Sequence, residues 1–266
     1  MLRHKRLAPT GLGLKPGSAL GLTLSLALTL GAGAALAEEM PAPIAALKEQ
    51  GLTIHGSFEA PAGLTGYAAS IQGQELAVYL TGDGQHAVVG NLVDAQGNNL
   101  SSEPLERLVS GPQDAMTWES LGDSAWIADG ADSAERVVYV FTDPNCPFCS
   151  QFWQSARPWI EAGKVQLRHV MVGILERDSP RLAISLLAAD DPAGALEAHE
   201  SGDPIEPLES LSREWEIALQ DNHDLMSSLG LYATPSILYH NDGKLRMSQG
   251  APDPEQLEAI MGSPAP

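Results

Sequence analysis

The chain has 266 residues, with 34 acidic against 15 basic side chains and a net charge of −19. That balance argues against a nucleic-acid partner, because a phosphate-binding surface needs clustered Lys and Arg. Only two cysteines occur, so no disulfide framework staples distant segments and the core must stand on packing alone.

Residues 1–37 carry Arg3, Lys5, Arg6 and Lys15 and no acid, then an apolar run from Ala19 to Leu30 and the ending Ala35-Leu36-Ala37. The pattern predicts a secretory signal peptide, 1–37, cleaved near Ala37. The alternative is an uncleaved anchor, since Ala19 to Ala37 approaches the length that spans a bilayer, although Gly31 and Gly33 weaken such a helix. After cleavage, 11 basic side chains face all 34 acidic ones. This charge serves solubility, or else favours basic or folded partners over exposed apolar segments.

From Pro41 to about Asn99 the pattern gives one short helix and then strands. Ile44, Leu47 and Lys48 fit a helix stopped by Gly51, and Glu75–Leu80 with His86–Val89 form a hairpin around Thr81-Gly82-Asp83-Gly84. A unit of this size, 38–100, buries little core alone, which points to self-association. Leu105, Leu108 and Val109 then show helical spacing, Gly111-Pro112 interrupts, and a second helical piece runs through Trp118 and Leu121. The segment 101–131 is expected to be a semi-rigid helical linker.

The third section, 132–266, begins with a strand over Arg136–Phe141 and a helix from Cys146 to about Ala162, kinked at Pro158 and ended by Gly163. A strand over Lys164–Gly173 completes a β-α-β unit. Asp178-Ser179-Pro180 opens a mostly helical insert, about 176–222, broken at Asp191-Pro192 and Gly202-Asp203-Pro204. Strands Ser236–His240 and Lys244–Gln249 flank the turn Asn241-Asp242-Gly243, and a last helix covers Pro254–Met261. The order is that of a thioredoxin-type fold, and the class is α+β.

Both cysteines lie in Cys146-Pro147-Phe148-Cys149, after an apolar strand and at the start of a helix. A thiol attacks a disulfide only as the thiolate, and the unpaired N–H groups and dipole of a helix N-terminus favour that form. Cys146 is therefore the expected nucleophile, and Cys149, one turn later, the resolving thiol. Two other readings compete: a zinc site, which wants a second ligand pair that the chain lacks, and a small structural disulfide. No cofactor is called for. Thr234-Pro235 is either an ordinary strand entry or, as in thioredoxin-like folds, a cis-proline against the reactive cysteine. Asp143 handles protons near Cys146 or shapes the turn, and Phe152, Trp153 and Trp159 pack the helix face or meet substrate.

These residues resemble the DsbC/DsbG family of disulfide isomerases over essentially the whole chain after residue 37. The match includes Tyr79-Leu80-Thr81, Tyr139-Val140-Phe141, Gln151-Phe152-Trp153, Ala156-Arg157-Pro158-Trp159, Gly163 to Arg168, Leu229-Gly230 and Thr234-Pro235. The resemblance implies an N-terminal cystatin-like dimerisation domain, a helical linker and a C-terminal thioredoxin-like domain with a helical insert. It also implies a periplasmic homodimer that acts on exported client proteins, is kept reduced by a membrane electron donor of the DsbD type, and has chaperone activity. The family's catalytic pair maps onto Cys146 and Cys149, and its substrate-binding positions onto Thr234, Pro235, Pro147 and Phe148. Phe148 departs from the family's usual Tyr. Val140 stands where thioredoxins and DsbA-type oxidases carry a buried carboxylate, which leaves proton transfer unassigned. A DsbA-like oxidase and a chaperone with incidental thiols are the alternative functions.

Overall fold

The structure, a computed structural model, describes residues 40–266. The expected signal peptide and its cleavage near Ala37 lie outside them. All elements below belong to one compact unit, Pro41–Pro266.

Helix α1 (Ala42–Glu49) is followed by strands β1 (Thr53–Glu59), β2 (Thr65–Ile71), β3 (Gln74–Leu80) and β4 (Ala87–Val89). The strands pair with their sequence neighbours in one antiparallel meander, β1-β2-β3-β4. Alternation along β3 gives each face a core: Val78 and Leu80 pack with Ile44 of α1, and Ala77 and Tyr79 with Phe58. Gly66 lies opposite Phe58 in the ladder, where a Cβ would stand 2.2 Å from the Phe58 ring. The missing side chain lets that ring lie across β2.

The next stretch runs helically without a break: α2 (Ser102–Leu105), a π-helical turn (Glu106–Ser110) and α3 (Gly111–Asp123). The interruption expected at Gly111-Pro112 does not occur. Pro112 offers no N–H and its ring would crowd the carbonyl four residues back, but the π turn shifts the register by one residue. The Gly111 N–H accordingly reaches Glu106 O, and a Cβ on Gly111 would sit 2.6 Å from that oxygen. Nor is the segment a bare linker. Leu105 and Val109 pack on the first sheet, whereas Leu121 and Trp118 pack into the second core. The linker expected to reach residue 131 ends as a helix at Asp123, and β5 (Trp126–Asp129) already belongs to the second sheet.

That sheet has the order β5-β7-β6-β8-β9, with β6 (Arg136–Thr142), β7 (Val165–Met171), β8 (Ser236–Asn241) and β9 (Lys244–Gln249). Only β6 and β7 run parallel, joined by α4 (Pro147–Glu161), which continues through Pro158. One face packs Val138, Val140 and Leu167 against α4 and α8 (Pro254–Met261). The other packs Tyr139, Phe141 and Val170 against Leu121 and Met226. The insert is three helices, α5 (Ser179–Leu187), α6 (Pro192–Glu200) and α7 (Arg213–Ser228), so its last helix runs past the expected end at 222. Fully buried Asn222 joins α7 to the sheet: its Oδ1 accepts from Ala125 N, and its Nδ2 donates to Ala125 O and Met171 O.

Candidate functional site

The loops that follow β6 and β7 and the loop that precedes β8 meet at one end of the second sheet, because β6 and β7 run together and β8 runs against them. Cys146 is the N-cap of α4, with extended φ and ψ of −90° and 108°, and Pro147 takes the first helical position. The Cys146 carbonyl accepts from Cys149 N at 3.0 Å and Ser150 N at 3.3 Å. Both cysteines are free thiols and buried, whereas Phe148 between them is 57% exposed.

From the other side comes the turn before β8. The Thr234–Pro235 bond is cis, and the Cys146 thiol donates to Thr234 O at 3.3 Å. Thr234 Oγ1 is buried and has no partner while Cys146 carries its proton, which leaves its hydroxyl free to donate to the thiolate. The structure therefore brings Cys146, Cys149, Pro147, Thr234 and Pro235 together.

The two thiols differ in their tendency to ionise. The Cys149 thiol beside Cys146 is the largest influence bringing the Cys146 pKa down to about 6; burial opposes it, and the Thr234 hydroxyl and the N–H groups of Cys149 and Phe148 assist. Cys149 moves the other way, pushed far up by burial and then by its hydrogen bond with Cys146 and the charge there. The sign follows: the Cys146 thiolate stabilises the reduced fold above the ordinary thiol range, and that contribution is lost as pH falls through about 6.

Asp143 shapes the turn, and it reaches much further. Its Oδ1 accepts from Asn145 N at 2.9 Å and Ser179 Oγ at 2.8 Å. Its Oδ2 accepts from Ile174 N at 2.6 Å and Leu175 N at 2.9 Å, and its carbonyl accepts from Cys146 N at 3.0 Å. The preceding N–H, of Gly173, donates to His223 Nε2 at 2.9 Å, and burial lowers the His223 pKa against the opposing charges of Asp224 and Asp143. Sequence spacing held no signal for these bonds across some thirty residues.

Val140 is fully buried under α4. Its register partner on β7 is His169, buried, with Nδ1 3.0 Å from Thr142 Oγ1 and Nε2 3.6 Å from Asp129 Oδ2. Arg157 donates to Asp129 through both terminal nitrogens and stacks 4.0 Å over the Trp153 ring, one turn beyond Cys149. Burial raises the Asp129 pKa, but the His169 ring beside it and the Arg157 guanidinium outweigh it and hold the carboxyl at about 2. A histidine at a buried position of β7 was the one sequence sign of this group. Phe152, Trp153 and Trp159 are buried helix-face packing.

Comparison with known proteins agrees with this geometry. A family model described as a thioredoxin-like domain matches residues 128–263. The thiol:disulfide interchange protein DsbG of Pseudomonas aeruginosa is 52% identical over 247 residues, covering 91% of this chain and 96% of that protein. DsbG of Escherichia coli is 41% identical over 233 residues, 86% of this chain and 94% of that protein. DsbC of Salmonella typhimurium is 23% identical over 186 residues, 69% of this chain and 72% of that protein. A chain this similar over nearly its full length, with its two cysteines spaced C-x-x-C at the head of α4, belongs to the DsbG family of thiol:disulfide interchange proteins.

Proposed function

We propose that the protein is a periplasmic thiol-disulfide isomerase and reductase of exported proteins, with Cys146 as attacking thiolate and Cys149 as resolving thiol. The observation that carries this reading is the opposite bias of the two thiols: Cys146 ionises near neutral pH, while burial keeps Cys149 protonated. The Cys146 thiolate attacks one sulfur of a client disulfide, forming a mixed disulfide and expelling the client's second sulfur as a thiolate that takes up a proton. In isomerisation another client thiolate displaces Cys146, and no electrons are lost overall. In reduction Cys149 gives up its proton and attacks Cys146 Sγ. The client leaves as a thiol, and two electrons have passed from the Cys146–Cys149 pair. On a sulfenylated client cysteine the first attack breaks the S–O bond and expels hydroxide, which takes up a proton and leaves as water.

Thr234, Pro235, Pro147 and Phe148 form the substrate-binding surface around the attacking sulfur, and a membrane donor of the DsbD type returns the pair to the dithiol. Signal peptide cleavage near Ala37 delivers the chain. The protein works as a homodimer and holds clients as a chaperone. Support for the dimer comes from β4, which has a strand on one side only and carries exposed Val88 and Val89, with exposed Val93 close after it.

The test is trapping. Cys149→Ala accumulates covalent client complexes visible on non-reducing gels, whereas Cys146→Ala forms none and loses disulfide reduction by ~1000-fold or more. Equal trapping by both variants overturns the assignment of roles.

A further inference from the structure

Cys146 is almost wholly covered, so a client sulfur reaches it only across the residues that surround it. Those residues lie on the first turn of α4 and on the loops after β7 and before β8, which converge at this end of the sheet. Phe148, in the motif itself, is 57% exposed; Ile174 and Leu175, after β7, are 43% and 47% exposed; Tyr232, two residues before Thr234, is 82% exposed. All four are large and mostly apolar, on a chain whose net charge is −19.

The loop after β7 is the most informative of the three. Its backbone is tied at three consecutive N–H groups: Gly173 to His223 Nε2, and Ile174 and Leu175 to Asp143 Oδ2. Gly173 also packs so closely on the start of α5 that a Cβ would meet Pro180 at 2.5 Å. A loop held this firmly can bury its side chains, yet this one displays an isoleucine and a leucine. The residue that holds it, Asp143, also accepts from Cys146 N at 3.0 Å. The displayed pair is thus fixed relative to the attacking thiol.

We propose that Ile174 and Leu175, together with Phe148 and Tyr232, determine client specificity at the exchange site, selecting polypeptide cysteines flanked by apolar residues. The inference rests on the exchange reading of Cys146. It places the selection in side chains beside the thiol, in contrast to the preference for basic partners that net charge alone suggests. Apolar flanks gain by withdrawing these four side chains from water. Because the rim is rigid, little ordering cost offsets that gain.

The test uses the reduced native protein and short peptides carrying one central cysteine as a mixed disulfide with glutathione. One peptide has Leu and Phe beside the cysteine, one Ser and Gly, and one Lys on both sides. Each rate constant is divided by that of the same protein with bis(2-hydroxyethyl) disulfide, which has no flanks. The native protein is expected to favour the Leu/Phe peptide over the Ser/Gly peptide about tenfold. In Ile174→Ser/Leu175→Ser the preference falls to about twofold or less, and in Tyr232→Ser it falls part of the way. Equal normalised rates for all peptides, a fastest rate with Lys flanks, or an undiminished preference in both variants overturns the inference. These outcomes leave the exchange reading intact. A native protein that fails to reduce bis(2-hydroxyethyl) disulfide overturns the exchange reading, and this inference with it.

Discussion

The two sheets cover their faces by different means. The first is a meander of sequence neighbours whose small residues, Ala68, Ala69 and Ala77, let short helical segments approach both faces. The second places large side chains on a central parallel pair and covers them with α4 and α8 on one face, α3 and α7 on the other. What each leaves uncovered differs as well. On the first, the apolar surplus sits at the edge strand β4 and the residues after it. On the second, exposed Phe148, Ile174, Leu175 and Tyr232 stand at the end that carries the thiols. A chain that spends its apolar surface on folding leaves uncovered mainly what serves another contact. An edge strand suits a lasting, self-complementary contact, and a loop rim suits a passing client.

The largest effect that tests this contrast comes from placing charge on the first surface. Val88→Asp/Val89→Asp is expected to halve the mass seen by light scattering, because a two-fold contact repeats each change on both sides and brings like charges together. Both positions are exposed, so folding survives, and far-ultraviolet circular dichroism checks that. A native protein of monomer mass, or a variant that keeps the dimer mass, breaks the contrast.

The second surface depends on the frame beneath α4, where Asp129 joins β5 to Arg157 of α4 and stands beside His169 of β7. Asp129→Ala leaves a partly buried guanidinium without its partner and should lower unfolding stability in urea by about 3 kcal/mol. The pH dependence has a definite sign. A carboxyl held at about 2 stabilises the fold above the ordinary carboxyl range near ~4, and that share vanishes as pH falls through about 2. The gap between native protein and variant should therefore narrow in acid. A gap that is constant from neutral pH to pH ~2 shows that charge pairing is not its cause.

Much of this second half was legible in the sequence. The strand before Cys146, the proline at the helix start, the turn Asn241-Asp242-Gly243 and the last helix all follow from local rules, and their order fixes the fold class. What escaped depends on contacts that no local pattern encodes. Pro112 predicts a break, and only the π turn ahead of it removes the clash. Trp126–Asp129 is too short to declare itself a strand until β7 lies beside it. Asp143 looks like turn chemistry because the N–H groups of Ile174 and Leu175, its distant partners, carry no side-chain signature.

The smallest effect lies in the first half, at the joint between its sheet and the helical stretch. Ser101 is fully buried; its Oγ is 2.7 Å from Tyr79 Oη and accepts from Leu92 N at 2.9 Å. Ser101→Ala takes the partner from both groups and should cost about 2 kcal/mol, chiefly because the buried Tyr79 hydroxyl is left unsatisfied. Tyr79→Phe leaves Ser101 its bond from Leu92 and should cost about 1 kcal/mol. In the Tyr79→Phe background, Ser101→Ala orphans one group instead of two, so a double-mutant cycle in urea should show clear coupling. Additive losses would mean that Ser101 acts on Leu92 alone. Coupled losses make one hydroxyl the fastening of three segments: β3, the chain that carries Val93, and the start of α2. Loosening it should then also weaken the proposed contact at β4 and Val93, because Leu92 is one of the groups it holds.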